Sequence, residues 1–168
     1  MKKVLFGLFV FGLTSQGFSQ IVKTEQLSEV VVTAVNYKYL NATTNEEEAF
    51  PVKMLERKAA AFNIKESDMY SDEYEFYTVS FFIPDGKIVA VYNADGEIVR
   101  TIEKFKNIKM PNKVAKAVMD RFPKWEVDSD VYLVNYKDDK GAKKTYKLKL
   151  KNGDERMRIK VDETGTFL

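Results

Sequence analysis

Residues 74–105, YEFYTVSFFIPDGKIVAVYNADGEIVRTIEKF, decide the fold. Apolar and β-branched residues crowd Tyr74 to Ile83, Lys87 to Asn93 and Glu97 to Phe105, and Asp85-Gly86 and Asp95-Gly96 separate the three runs. Asp-Gly between alternating apolar runs is a strong hairpin signal, so the stretch is predicted to be three antiparallel strands. Just before it, Pro51 to Phe62 places Val52, Leu55, Ala59 and Phe62 at spacings of three and four behind a proline suited to a first helical turn. That is one helix followed by three strands.

The order recurs downstream. Pro111 to Phe122 repeats the Pro-to-Phe spacing, with Val114, Ala117, Val118 and Phe122 on its apolar stripe. Strands at about Trp125 to Tyr136, Lys143 to Lys151 and Glu155 to Val161 follow, the last two joined at Asn152-Gly153. The expected fold is therefore α+β, two tandem repeats, each a helix packed on an antiparallel β-sheet. Its divisions are 1–19, a signal peptide; 20–50, an N-terminal strand and linker; 51–108, the first repeat; and 109–168, the second. Within the second division, Ser28 to Val35 reads as a strand and Asn41 to Glu48 as a polar link.

The leading segment reads as an export signal. Lys2 and Lys3 precede an uncharged run, Val4 to Leu13, too short to span a bilayer, which takes about 20 residues. Gly17-Phe18-Ser19 places small residues for a cut before Gln20, with a cut after Gln20 as the near alternative, and no cysteine follows to take a lipid. The expected location is periplasmic or secreted, with no membrane span after cleavage. Cleavage would remove two of the 27 basic residues and leave them equal to the 25 acidic ones. A neutral chain argues against nucleic acid as a partner, because that affinity comes largely from neutralised phosphates.

The chain has neither His nor Cys. Ser-His-Asp and Cys-His catalysis, zinc fingers and thiol redox chemistry are thereby excluded. It also lacks a phosphate loop and a dinucleotide fingerprint. Asp68 with Asp72, and Asp138 with Asp139, are the candidate carboxylate pairs, and both sit in turn-like sequence expected to be solvated. The expectation is a binding protein rather than an enzyme, with no cofactor and no metal.

Phe122-Pro123, Trp125, the strand around Tyr132 to Tyr136, Tyr146 to Gly153 (YKLKLKNG) and Val161 to Gly165 (VDETG) resemble the PepSY-like exported proteins of Bacteroidetes, whose fold is similar to that of the β-lactamase inhibitor protein. The resemblance spans 51–168 and is clearest in the second repeat. It implies two helix-plus-sheet repeats and, by analogy, protein binding through an exposed sheet face. Glu29 to Ala34 (EVVVTA) reads as part of the N-terminal strand and also resembles the TonB box of outer-membrane receptors. A soluble partner of the same export or uptake system is the function that second likeness implies.

Strand alternation supplies the candidate face. Lys147, Lys149 and Lys151 alternate with Tyr146, Leu148 and Leu150, and Arg156, Arg158 and Lys160 alternate with Met157, Ile159 and Val161. Taking Trp125, Val127, Val131 and Leu133 as core puts Glu126, Asp128, Asp130, Tyr132 and Tyr136 on the outer face, where the acids are expected to pair with the bases. In the first repeat, Phe76 and Phe82 face outward with Thr78 and Ser80, joined by Val89 and Val91. Such an apolar face fits a partner, and equally the N-terminal strand or the other repeat of the same chain. Two functions stay open: an inhibitor or regulator of an unknown periplasmic or envelope protein, and a binder of a small ligand or an anionic envelope polymer.

Overall fold

The computed structural model describes residues 36–168. The signal peptide, the strand at Ser28 to Val35 and the TonB-box-like hexapeptide lie outside the described residues. The described elements are α1 (Tyr37–Thr43), α2 (Phe50–Ala61), a 3-10 turn (Ile64–Glu66), β1 (Phe76–Ile83), β2 (Gly86–Asn93), β3 (Ile98–Lys106), α3 (Asn112–Arg121), β4 (Glu126–Lys137), β5 (Gly141–Asn152) and β6 (Glu155–Asp162).

The strands form one six-stranded antiparallel sheet in sequence order, β1-β2-β3-β4-β5-β6. This overturns the expectation of two helix-on-sheet repeats. The helix-and-three-strands order does occur twice, but β3 pairs with β4 from Arg100↔Lys137 to Lys106↔Val131, so no boundary divides the sheet. An unpaired β3 and β4 would each present a row of free backbone donors and acceptors, and joining them removes both edges. The core is likewise continuous, running from Val52 and Leu55 of α2 through Phe105 and Tyr132 to Val161.

The helices are not equivalent. α2 buries Val52, Leu55, Glu56, Ala59 and Ala60, whereas α3 buries Val114 and Val118. Truncating Leu55, with 1% of its surface exposed, would cost about 2–5 kcal/mol by lost transfer energy and the cavity left behind. α3 is held at its end by Arg121, whose guanidinium lies 4.4 Å from the Phe167 ring centre.

A second correction concerns 37–48, where a polar link is expected from Asn41 onward. Tyr39 and Thr43, one turn apart, are buried on the inner side of α1, and the Thr43 hydroxyl donates to the Tyr39 carbonyl at 3.1 Å. Just before it, Asn36 is buried: its amide donates to the carbonyls of Ala60 and Gly96, and its oxygen accepts from the Ile98 N–H at 2.8 Å. The chain is thus tied to the α2 end and to the β2–β3 turn before it enters α1.

Candidate functional site

α2 packs on β1 and β2 and α1 on β4 and β5, covering one face of the sheet, while the strand side chains of the other face are exposed or half-buried. The covered face carries Tyr77 and Phe81 of β1, Ile88, Ala90 and Tyr92 of β2, and Tyr146, Leu148 and Leu150 of β5. Alternation then sends Phe76, Phe82, Val89 and Val91 to the open face, with Phe76 and Phe82 exposed by 59% and 66% and the two valines half-buried.

β4 departs from the expected facing. A bulge between Val127 and Ser129 places Asp128 out of register with β5, so the alternation switches sides. Beyond it Asp130, Tyr132, Val134 and Tyr136 point into the core, and Val131 and Leu133 point out. Tyr132 and Tyr136 are therefore not open-face residues: they are 0% and 1% exposed. Tyr132 stacks on its cross-strand neighbour Tyr146 with ring centres 4.5 Å apart, and Tyr136 meets Tyr39 edge-on at 5.3 Å. Asp130 is also inside, its carboxylate accepting from the Ile108 N–H at 3.3 Å.

The switch completes an apolar strip. Val89 lies opposite Ile102 of β3, and Val131 and Leu133 of β4 share that face, with Leu133 diagonal to Ile102 and the direct β3 partners of Val131 and Leu133 being Lys106 and Lys104. Sequence reasoning missed Ile102, Val131 and Leu133, and only the bulge could have revealed the latter two.

Beyond the strip the face becomes cationic. Lys147↔Lys160, Lys149↔Arg158 and Lys151↔Arg156 are three successive cross-strand pairs of like charge. Two are partly neutralised from β4, by Lys149–Asp128 at 3.0 Å and Lys151–Glu126 at 3.3 Å, as alternation leads one to expect. Lys149 holds the Asp128 carboxyl below its ordinary range, by hydrogen bond and by charge. No ion pair among the described residues engages Lys147 or Lys160. A groove of about 410 Å³ runs between Val131, Lys147, Lys149, Arg158 and Lys160.

A separate cleft of about 620 Å³ lies at the end of the sheet, between Phe50 and Met54 of α2 and the segments around Pro84 and Ile108. Asp68, Asp72, Asp138 and Asp139 are exposed. The sequence reading overlooked three buried glutamates. Glu56 sits on the apolar stripe of α2, four residues from Val52 and three from Ala59, and Glu103 lies between the inward-facing Thr101 and Phe105. Glu48, expected in the polar link, is 6% exposed and accepts from the Tyr132 hydroxyl at 2.9 Å. A charged residue on an apolar stripe was the signal that could have found Glu56. None of the described carboxylates is grouped so as to hold a metal ion, and no described helix is long and apolar enough to cross a membrane.

No family model matches the chain, and no curated protein matches it. A solved structure of a DUF2874 family protein from Bacteroides ovatus is similar, with 15% identity, 58% of this chain and 70% of that chain covered, and a TM-score of 0.36.

Proposed function

We propose that this chain is an exported, non-enzymatic binding protein, of the PepSY-like kind its sequence resembles, that holds an acidic protein on the open face of its sheet as an inhibitor or regulator. The observation that carries the reading is the run of three like-charged cross-strand pairs beside an uncovered apolar strip. Like charges placed directly opposite each other destabilise a sheet by roughly 0.2–1 kcal/mol per pair. An acidic partner would relieve that repulsion, and its apolar contacts would cover Ile102, Leu133 and Phe82. The division of labour is the usual one: charge steers the encounter and aromatic anchors hold it.

The groove between Lys147, Lys149, Arg158 and Lys160 favours a second reading, an anionic envelope polymer bound through cations alone. The two differ in what they ask of Phe82. Partner isolated from envelope extract on the immobilised protein is then titrated against purified variants. Phe82→Glu and Lys147→Glu are each expected to weaken the protein complex at least about tenfold, with affinity falling as salt rises. A sulfated glycan probe should be sensitive to Lys149→Glu and indifferent to Phe82→Glu. A partner whose affinity ignores both substitutions would remove the open face from consideration.

A further inference from the structure

Three glutamates converge inside the core from three separate segments: Glu48 from the link between α1 and α2, Glu56 from α2, and Glu103 from β3. None is more than 6% exposed. One oxygen of each is satisfied by hydroxyls. Glu48 accepts from Tyr132, Glu56 from Thr44 at 2.9 Å, and Glu103 from Tyr39 at 2.9 Å and Thr101 at 2.6 Å. The second oxygen of each meets no donor among the hydroxyls, amides and cations around it.

The three buried groups act on one another through charge, Glu103 and Glu48 both opposing ionisation of Glu56. An ionised carboxylate only accepts, so a buried one whose second oxygen meets no donor is relieved by taking up a proton.

We propose that Glu48, Glu56 and Glu103 form a protonated latch: protons retained by these buried carboxyls hold α1, α2 and their link onto the sheet, and losing them as the medium turns alkaline loosens that layer. The surroundings offer little to replace a lost proton. From α1 and β4 the facing titratable groups are Tyr39, Tyr132 and Tyr136, and from β5 they are Tyr146 and Lys144. Tyr92 of β2 is engaged elsewhere, donating to the Ala59 carbonyl at 2.7 Å, and Asp130 of β4 is held by Ile108. Lys144 is the cation whose charge reaches Glu48, and it is shared with Glu163 beyond β6 at 3.2 Å.

The direction of the pH response follows from the buried carboxyls. Burial first, and then the charges of Glu103 and Glu48, push Glu56 up to about 10. Burial raises Glu103 to about 7, and raises Glu48 against the opposing pull of Tyr132 and Lys144. Unfolded glutamates release their protons near pH ~4.3. The folded chain therefore binds more protons than the unfolded one from there upward. The stabilisation is complete below the unfolded value and is lost as pH rises through about 7 and then toward about 10. Each retained proton raises the unfolding constant about tenfold per pH unit.

Urea unfolding of the full chain between about pH 6 and 9 tests this. The wild-type unfolding constant is expected to rise at least about tenfold per unit over the upper part of that range, and Glu56→Gln, which keeps the shape and cannot ionise, is expected to flatten the slope by about one proton. A flat wild-type profile, or a Glu56→Gln profile parallel to wild type, would overturn the latch. Should Glu56→Gln not fold, infrared spectroscopy of the wild type decides: a protonated carboxyl stretch persisting at neutral pH supports the retained protons, and carboxylate bands alone reject them. Amide protection in α1 and α2 should fall at lower pH than protection in β5. A uniform decline would remove the helical layer from the proposal.

Discussion

Gly86 opens β2 three residues after Ile83 ends β1, and its missing side chain is what lets the Phe105 ring lie against the hairpin. A Cβ at Gly86 would overlap Cδ1 of Phe105 and stand 2.7 Å from its Cε1 and 3.1 Å from a carbon of Ile83. Phe105 is fully buried and packs toward Tyr132, so its ring cannot swing away without opening the core. Gly86→Ala should cost about 1–3 kcal/mol, the range for overpacking a filled interior. Combining it with Phe105→Leu should cost less than the sum of the two single changes, because one clash is counted in the first and removed by the second. Chemical denaturation of the four proteins measures that coupling, and strict additivity would mean that the ring is not what Gly86 accommodates. The Asp85-Gly86 turn is legible in the sequence as a turn. That the glycine also serves a ring 19 positions away is not, since that depends on the pairing Gly86↔Phe105.

At the scale of elements, legibility followed the strength of the local signal. Both long helices and all six strands stand close to where periodicity and turn residues place them, for those signals lie within a few residues of each other. α1 carried no such signal: Tyr37 to Thr43 buries only Tyr39 and Thr43, and its register is set by contacts with α2, β4 and β5 that a local reading does not contain. The facing of β4 failed for a different reason. Trp125, Val127, Val131 and Leu133 alternate as well as Tyr132, Val134 and Tyr136 do, and Asp128 in the bulge decides between them. Two substitutions one residue apart separate these facings. Leu133→Lys places a cation on the open face beside Lys104 and should change stability by less than about 1 kcal/mol. Tyr132→Lys buries a charge against Phe105 and Tyr146, removes the hydrogen bond to Glu48, and should leave little folded protein. Circular dichroism melts of the two variants give the comparison, and the reverse order of damage would restore the facing read from the sequence.

Across the whole molecule, two features stand out as ionisable groups in unusual company: buried carboxyls inside and a cationic flank outside. The fold was read as two units because each half repeats its element order, and nothing local shows that β3 and β4 pair with each other. That pairing makes one broad face, and breadth is what sets an aromatic edge, an aliphatic strip and a cationic flank side by side. The flank allows a test in the absence of any partner. Lys147 lies opposite Lys160, and no described acid pairs with either. Lys147→Glu replaces that repulsion by attraction and should raise stability by about 0.5 kcal/mol at low ionic strength. Most of the gain should vanish at about 1 M salt, where the screening length falls to roughly 3 Å. The same substitution is expected to weaken partner binding, so stability and affinity should move in opposite directions, as they do where a surface is arranged for recognition. If Lys147→Glu lowers stability instead, the cations are held by interactions within the chain, and the flank is part of the fold rather than a surface waiting for an acid.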